Sequence, residues 1–434
     1  MTLLPRKAQA MKLSKTITAF AESIADLKEV FKGNVGVIAL SWFLFSLTGS
    51  LVNPFFAKYA KDLGASDLHV AVMRSLGMLA LALSTIPGGL LTDYLGRVKV
   101  ILIGTACISV AQFLYAVAPD WRFLTAIFVF DYAVHFYQPA LTAIVMDSLQ
   151  RGEEFKGFLG LNIVMAIPGL FMPVIGGVLY DTLGVTGIRL GFALQGIVSI
   201  TVFVMRAKAL KETFKPRDKD LGKIIFELSG YRAVLFRALK LYLFTSILWQ
   251  VSLGVTNTYL AIYVLDVLGL SKPMWGLLSA ISTTGTICAS LILLRTNPRP
   301  ERAALYSAVV VSAVQITLAL PYHVRHMTIT TATLLAASLV MGLASNILNS
   351  ALSTILTRTL PVEIRGRAIG IQRLLDNFGA SAASLVAATL YLGVGYAESF
   401  LVSSTVGLLS SLYLYTILLR RWPKERERRL RLEE

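Results

Sequence analysis

The chain has 434 residues, of which 55% are hydrophobic and 15% charged, and its mean hydropathy is +0.67. A soluble protein of this length needs more charged residues on its surface, so the composition indicates an integral membrane protein. The net charge of +16 is spread along the segments between apolar runs. It forms no basic patch with interleaved aromatic residues, which argues against nucleic acid as a partner. Cys107 and Cys288 lie inside apolar runs, which argues against a disulfide framework.

Twelve apolar runs of 17 to 29 residues match the length of about 20 residues that crosses a hydrocarbon core of about 30 Å. These predicted spans, numbered 1 to 12, lie at residues 34–57, 68–91, 98–118, 121–145, 158–180, 189–205, 241–264, 274–294, 303–320, 329–357, 368–391 and 397–419. The predicted fold class is therefore an all-α membrane protein with two six-helix bundles, residues 34–205 and 241–419. The basic segment 1–33 is either an amphipathic surface segment or a basic tail. Residues 206–240 are expected to be a linker, and residues 420–434 a basic tail.

The distribution of Lys and Arg predicts the orientation of these spans. If both termini are cytoplasmic, 33 of the 41 basic residues lie in inside segments and six in outside loops. The linker contributes ten of the 33, counted from Arg206 to Lys240. Basic residues accumulate on the cytoplasmic side of membrane proteins, so we expect both termini there and a multi-pass protein of the cytoplasmic membrane.

The two halves of the chain carry a repeated turn. Gly64 and Ser66 follow span 1, and Gly269 and Ser271 follow span 7, with the same shift of 205 residues in both cases. The shift places Arg97 on Arg302 but Asp93 on Pro298. The halves are therefore interpreted as duplicated and diverged, and the acidic residue after span 2 is expected to exist once.

The loop between spans 2 and 3 reads Gly89-Leu-Leu-Thr-Asp93-Tyr-Leu-Gly96-Arg97-Val-Lys99. Together with the six-plus-six arrangement, it resembles the major facilitator superfamily, whose signature there is G-x-L-x-D-R-x-G-R-K/R. Tyr94 and Val98 depart from that pattern. The resemblance covers the whole chain and implies that Gly89, Asp93, Gly96, Arg97 and Lys99 act in gating. We expect Asp93 to meet the positively polarised N-terminus of span 11, just after Arg367, and to latch the cytoplasmic side.

Span 5 contains Gly169-Leu-Phe-Met-Pro173-Val-Ile-Gly176-Gly177, which is similar to the glycine-proline signature of the superfamily's antiporters. Met172 replaces a glycine of that signature. The resemblance implies antiport, with Pro173, Gly176 and Gly177 in the conformational change. The alternative is that small residues and a proline simply let span 5 bend and pack closely against a neighbour.

Span 4 carries the strongest candidate for proton coupling. Asp131 lies near its middle, and His135, Gln138 and Thr142 follow at spacings that put all four on one helical face. A carboxylate far from water gains from binding a proton, and a neighbouring histidine can relay it. The alternative is a structural hydrogen-bonded pair. The resemblance favours a functional role, because spans 1, 4, 7 and 10 line the central cavity in that superfamily.

Further polar and aromatic residues within spans are candidates because such groups are costly in a bilayer. Candidates for substrate binding are Arg74, Tyr137, Gln138, Trp249, Gln250, Asn257, Asn346, Asn349 and Arg373. Asp376 is a second candidate for proton coupling. Interhelical packing explains the Asn and Ser residues equally well, and Arg373 with Asp376 is also explained as a local ion pair. Arg74 is either a snorkelling side chain or an anion-binding one.

Together these features predict a secondary active transporter that works by alternating access. No nucleotide-binding motif or metal-ligand spacing is present, so we expect no cofactor and no metal. The favoured function is proton-coupled export of amphipathic or drug-like molecules, by a monomer in a lipid bilayer, with protons and a small molecule as partners. The alternative is proton-coupled import of a sugar or organic anion. An enzyme using Asp131 and His135 as acid and base is the rival class, which the duplicated halves disfavour.

Overall fold

The computed structural model describes residues 31–149, 154–214, 243–296, 298–324, 326–359 and 365–421. These ranges consist of helices and the turns between them, and they contain no β-strand. Most of the basic segment 1–33, the linker 206–240 and the tail 420–434 lie outside them.

Nine helices within these ranges are long and apolar enough to cross a membrane. They are Gly33–Asp62, Asp67–Thr92, Arg97–Ala116, Gly160–Leu183, Val185–Ala209, Lys272–Thr296, Pro300–Val324, Met327–Leu356 and Tyr396–Leu418. Predicted spans 4, 7 and 11 are helical as well, but span 4 is interrupted at His135–Tyr137 and span 7 is flanked by π-helical segments. Twelve crossings and the orientation of the termini stay predictions.

The helices of the first half are labelled in chain order. They are α1 (Gly33–Val52), α2 (Phe56–Asp62), α3 (Asp67–Leu95), α4 (Arg97–Ala116), α5 (Trp121–Val134), α6 (Gln138–Ser148), α7 (Glu154–Ala166), α8 (Met172–Leu183) and α9 (Val185–Ala209). Those of the second half are α10 (Trp249–Ile262), α11 (Lys272–Thr296), α12 (Pro300–Val324), α13 (Met327–Thr359), α14 (Arg365–Gly393) and α15 (Tyr396–Tyr415). Within each half, short connections join successive spans, which places neighbouring spans antiparallel.

The repeated turn adopts the same backbone conformation in both halves. Gly64 has φ +93° and Gly269 has φ +68°, values that favour glycine. We call the end of the molecule that carries these turns the Gly64 end. The opposite end is the Gly96 end, where Gly96 at φ +89° is the one residue between α3 and α4. The predicted loop between spans 2 and 3 is therefore shorter than expected, since Asp93 and Tyr94 still belong to a helix.

Apolar packing joins the two halves at the Gly64 end. One buried cluster there combines Phe55 and Tyr59 of the first half with Tyr259, Tyr391 and Phe400 of the second. Towards the Gly96 end, the described residues form two separate clusters, one within each half. The two halves therefore share one buried apolar cluster at the Gly64 end, whereas each half has its own cluster towards the Gly96 end.

Helix α9 extends four residues beyond the predicted end of span 6. Arg206, counted as the first basic residue of the linker, is consequently fully buried in the first half. Its Nε donates to Ser41 Oγ at 3.1 Å and an Nη donates to Thr105 Oγ1 at 2.7 Å. The assignment of this arginine to a solvated linker was wrong, because a basic residue at the edge of an apolar run resembles an interfacial one.

Candidate functional site

A cavity of about 930 Å³ lies between the two halves. All nine helices of the first half, α1 to α9, and three of the second, α10, α11 and α13, contribute to its wall, so neither half forms it alone. Seven of the residues singled out from the sequence line it: Arg74, Asp131, His135, Tyr137, Gln138, Pro173 and Asn257. The volume is within the range of small-molecule sites.

The polar stripe of span 4 lies where the helix is interrupted. A 3₁₀ turn at His135–Tyr137 separates α5 from α6, and Pro139 follows at the start of α6. Proline lacks an N–H and cannot continue the hydrogen-bond ladder, which accounts for the break. Asp131, His135 and Gln138 still share one cavity, although the helix is not the continuous one expected.

Asp131 is a poorly satisfied acid in the cavity wall. Its side chain is 13% exposed. Tyr115 donates its hydroxyl to Oδ2 at 3.2 Å, whereas Oδ1 accepts no hydrogen bond from any described residue. His135 Nδ1 lies 2.6 Å from the main-chain oxygen of Asp131 and 3.9 Å from Oδ1. Its ring is thus held by the backbone rather than by the carboxylate, and Oδ1 is a buried oxygen whose hydrogen-bonding capacity is unused among the described residues.

The Arg, Asp and His side chains of the cavity all come from the first half. Arg74 of α3, Asp131 and His135 line the wall there. The second half contributes neutral side chains of α10, α11 and α13, among them Asn257 and Trp275. The cavity therefore has a charged wall and a neutral, partly apolar one.

Four polar or aromatic candidates of the second half do not line this cavity. Trp249 is buried at the Gly96 end, with its ring 5.8 Å from that of Phe244. Asn346 donates to Thr286 O and Ser290 Oγ, both at 2.8 Å, and so fastens α13 to α11. Gln250 is half-buried and Asn349 is exposed. For Trp249 and Asn346, the contacts are those of packing residues.

Arg373 and Asp376 lie on α14, which packs against α3 of the first half. Arg373 is exposed and Asp376 half-buried, and neither lines the cavity. Their predicted roles in substrate binding and proton coupling remain expectations.

The glycines of span 5 allow close contacts of the backbone. A Cβ on Gly176 would collide with Leu51 O of α1, and one on Gly177 would lie 2.7 Å from Pro273 Cα of α11. Gly276 of α11 faces Pro173 O in the same way. Helices α8 and α11 thus approach each other through small residues across the two halves, as expected if these residues let span 5 pack closely.

The signature between spans 2 and 3 contacts the first half itself. Arg97 pairs with Asp147 of α6 and donates to Thr213 Oγ1 at 3.0 Å. The Glu212 carboxylate accepts the N–H of Val98 at 2.9 Å at the start of α4. Gly89 faces open space, whereas the neighbouring Gly88 faces Phe136 O. Lys99 is exposed. The Asp93 side chain and residues 360–364 lie outside the described part of the chain, and so does the expected latch.

Polar contacts across the halves close the Gly64 end of the cavity. Trp275 Nε1 donates to Pro54 O at 2.6 Å, and the Tyr259 hydroxyl donates to Asp67 O at 2.8 Å. Ser75 and Ser381 join α3 and α14 through their hydroxyls at 2.9 Å. Lys58 Nζ lies 3.0 Å from Asp266 Oδ1.

The sequence did not single out Tyr115, Trp275 or Arg206. Tyr115 and Trp275 were lone aromatic residues in apolar runs, where packing is the usual role. The 205-residue shift aligns Lys61 with Asp266, and their opposite charges were the sequence feature that could have predicted a contact between the halves at the Gly64 end.

Two helical halves around a central cavity, as in the described part of this chain, are an architecture typical of membrane transporters. The Major Facilitator Superfamily model matches residues 38–331 and 327–434, and the chain belongs to this family. It is therefore a multi-pass transporter of the cytoplasmic membrane and not an enzyme, as expected from the sequence.

The chain is similar to proteins from several bacteria that carry the name "multidrug resistance protein MdtG". That of Serratia proteamaculans is 25% identical over 418 residues, covering 93% of this chain and 98% of the relative. That of Escherichia fergusonii is 24% identical over 402 residues, covering 90% and 96%.

Solved structures share the fold at lower identity. A POT family transporter in complex with 5-aminolevulinic acid has a TM-score of 0.72 at 13% identity, covering 88% of this chain and 96% of that one. A D-xylose-proton symporter has a TM-score of 0.69 at 13% identity, covering 88% and 97%.

Proposed function

We propose that this chain is a secondary active transporter that exports amphipathic or drug-like small molecules in exchange for protons. The observation that carries the proposal is Asp131, whose Oδ1 lacks a hydrogen-bond partner among the described residues in a cavity shared by both halves. Its similarity to multidrug resistance proteins across nearly the whole chain supports export. Intramembrane acids that face a cavity commonly mark ion pathways.

Asp131 is the proposed proton carrier. Its carboxylate binds either a proton or, when charged, a polar group of the substrate, so that the two compete. Tyr115 stabilises the carboxylate through its hydroxyl, and His135, 3.9 Å from Oδ1, is placed to pass the proton on. A proton and the substrate do not bind this carboxylate together. Uptake of a proton therefore lowers the affinity for substrate and promotes its release.

Alternating access is the proposed motion. With the predicted orientation, the Gly64 end faces outward, and its closure in this structure corresponds to a state that receives substrate from the cytoplasm. The small-residue contact between α8 and α11 lets the halves rotate without unpacking long side chains. Export then requires the contacts at the Gly64 end to break while those at the opposite end form.

Proton-coupled import of a sugar or organic anion is the second candidate. Amide side chains of Asn53, Gln112, Gln195 and Asn257 line the cavity, and amides hydrogen-bond hydroxylated solutes well. Arg74 supplies a positive charge for an anion.

Transport in proteoliposomes tests the proposal. Asp131→Asn is expected to fold, to retain exchange of labelled substrate between the two sides, and to lose accumulation driven by a pH gradient. Glu398→Gln, at a half-buried acid near the Gly64 end and outside the cavity, is the matched control and should behave as the wild type. Gradient-driven transport that persists in Asp131→Asn rules out this coupling group. The direction of the pH gradient that drives uptake distinguishes export from import.

A further inference from the structure

A second, smaller cavity of about 220 Å³ lies within the second half, between α10, α11, α12 and α13. We call it the side pocket. Five residues belong to it and not to the central cavity: Leu278, Val314, Leu318, Ala337 and Ser338. Five others line both cavities: Leu260, Trp275, Ser279, Ser282 and Met341. The shared wall makes the side pocket an extension of the central cavity.

The lining of the side pocket is uncharged and mainly apolar. Leu, Val, Ala, Met and Trp supply seven of the ten side chains, and serines supply the other three. The Trp275 indole N–H already donates to Pro54 O, and the Ser279 hydroxyl donates to Trp275 O at 3.1 Å. A charged group placed here would lose its water without gaining an ionic partner, which is unfavourable. The occupant is therefore apolar.

The volume of the side pocket sets the size of that occupant. An apolar cavity of about 150 Å³ in another protein holds benzene. At about 220 Å³, the side pocket is large enough for a substituted aromatic ring or a branched alkyl group. It is too small for a whole drug-sized molecule, because such ligands occupy sites of about 300 Å³ or more. Its occupant is thus one part of a larger ligand whose remainder lies in the central cavity.

We propose that the side pocket is a subsite for the uncharged aryl or branched-alkyl group of the transported molecule. This rests on the proposed function. The polar part of the same molecule then lies against Asp131 and Arg74 on the opposite wall, so the two halves bind its two ends. An amphipathic substrate satisfies both walls, whereas a uniformly polar solute leaves the side pocket empty.

Trp275 ties this subsite to the conformation of the protein. Its indole ring lines the side pocket, and its N–H bonds to Pro54 of the other half at 2.6 Å. A group seated against the ring contacts a side chain that is fixed only while the Gly64 end is closed. Opening of that end breaks this hydrogen bond and frees the indole ring, so occupancy of the subsite is expected to depend on the conformation.

Thiol labelling tests the subsite without a known substrate. In full-length protein carrying Cys107→Ser and Cys288→Ser, single variants Ser338→Cys and Ser50→Cys place a thiol in the side pocket and on the first-half wall of the central cavity. Each is treated with N-phenylmaleimide and with a trimethylammonioethyl maleimide, which share one reactive group. The ratio of the aryl rate to the cationic rate is expected to be at least tenfold higher for Ser338→Cys. Equal ratios within twofold overturn the proposal.

Ligand binding supplies the second arm. Ala337→Leu fills the side pocket, and Ala336→Leu adds the same atoms to the neighbouring exposed position of α13. The probe is tetraphenylphosphonium, measured by thermal shift on the purified protein. We expect its Kd to rise at least tenfold in Ala337→Leu and to stay within twofold of the wild type in Ala336→Leu. Equal affinities in the two variants, or no binding to the wild type, overturn the proposal. Failure of the transport proposal gives a different result: the labelling ratio and the Kd change as expected for the subsite, but the wild-type protein shows no gradient-driven transport.

Discussion

The ammonium group of Lys61 lies 3.5 Å from the Asp266 carboxylate, and the two residues occupy equivalent positions in the two halves of the chain. The 205-residue shift that aligns Gly64 with Gly269 in sequence also aligns Lys61 with Asp266. The same shift relates Asp67 to Lys272, again with opposite charges. A duplicated turn with like charges would repel its copy where the halves meet. Inverted charges make the two copies attractive, which favours closure of the Gly64 end.

We expect Asp266→Asn to weaken this closure. Asp266 contacts both Lys58 and Lys61, and the partners are partly exposed, so each pair contributes about 0.2–1 kcal/mol. Losing about 1 kcal/mol changes the ratio of closed to open molecules about fivefold. The populations can be measured by the distance between two spin labels at the Gly64 end, one on each half.

A double-mutant cycle separates this effect from a general loss of stability. Lys61→Gln should shift the populations less in the Asp266→Asn background than in the wild type, because one of its partners is already gone. Glu398→Gln is the control, since its partner His323 belongs to the same half. Strictly additive shifts would show that Lys61 and Asp266 do not interact in the membrane.

Gly177→Ala is expected to disfavour the closed Gly64 end as well, for a steric reason. The added Cβ would lie 2.7 Å from Pro273 Cα and 2.5 Å from Lys272 O, both backbone atoms of the other half. Overpacking of this kind costs about 1–3 kcal/mol, and the halves can relieve it by separating. The spin-label distances described above should therefore shift towards the open state.

Gly370→Ala is the matched control for that substitution. Gly370 also lies within a helix, α14, but no atom outside its own neighbourhood lies within 4 Å of the place that a Cβ would occupy. Alanine should leave the conformational equilibrium unchanged and raise stability by about 0.5–1 kcal/mol through helix propensity. If both glycine variants shift the equilibrium alike, contact between α8 and α11 is not the cause.

The sequence predicted the helical fold and the acid of the cavity for identifiable reasons. Asp131 stood out because a carboxylate is rare within an apolar run, and the spacing to His135 and Gln138 put all three near one cavity. The family resemblance came from residues Gly89 to Lys99, and the family itself is confirmed.

Other assignments depended on which face of a helix meets which neighbour, and periodicity does not determine that. Asn346 has the spacing of a cavity residue but donates to Thr286 and Ser290 of an adjacent helix. Arg206 was placed in the linker because its partners, Ser41 and Thr105, are more than 100 residues away in sequence. Contacts between distant helices therefore had to come from the structure.

Glu212→Gln is expected to loosen the start of α4. The carboxylate accepts the N–H groups of Arg97 at 3.2 Å and Val98 at 2.9 Å, where the helix presents unpaired donors and positive potential. An acid in such a position contributes about 0.3–1 kcal/mol. Hydrogen exchange at these two amides should be faster by about two- to fivefold. Lys211→Met, at the adjacent exposed side chain, should leave both rates unchanged.

Arg206→Lys should lower the stability of the first half although it conserves the charge. The guanidinium reaches Ser41 on α1 and Thr105 on α4 through two nitrogens and lies 5.4 Å from the centre of the Phe45 ring. A lysine ammonium has one nitrogen on a flexible stem and cannot reproduce that fork. Loss of one hydrogen bond to a buried charged group costs about 1.5–3 kcal/mol.

Thermal unfolding of the purified protein measures the effect, and the neighbouring exposed Lys208 supplies the control. Lys208→Arg exchanges the same two residue types in the opposite direction, at an exposed position two residues further along α9. It should leave the unfolding temperature within error of the wild type. A lower unfolding temperature for Arg206→Lys alone shows that the buried guanidinium group holds α1, α4 and α9 together. Equal unfolding temperatures for the two variants would mean that the charge of Arg206, rather than its geometry, is what the first half requires.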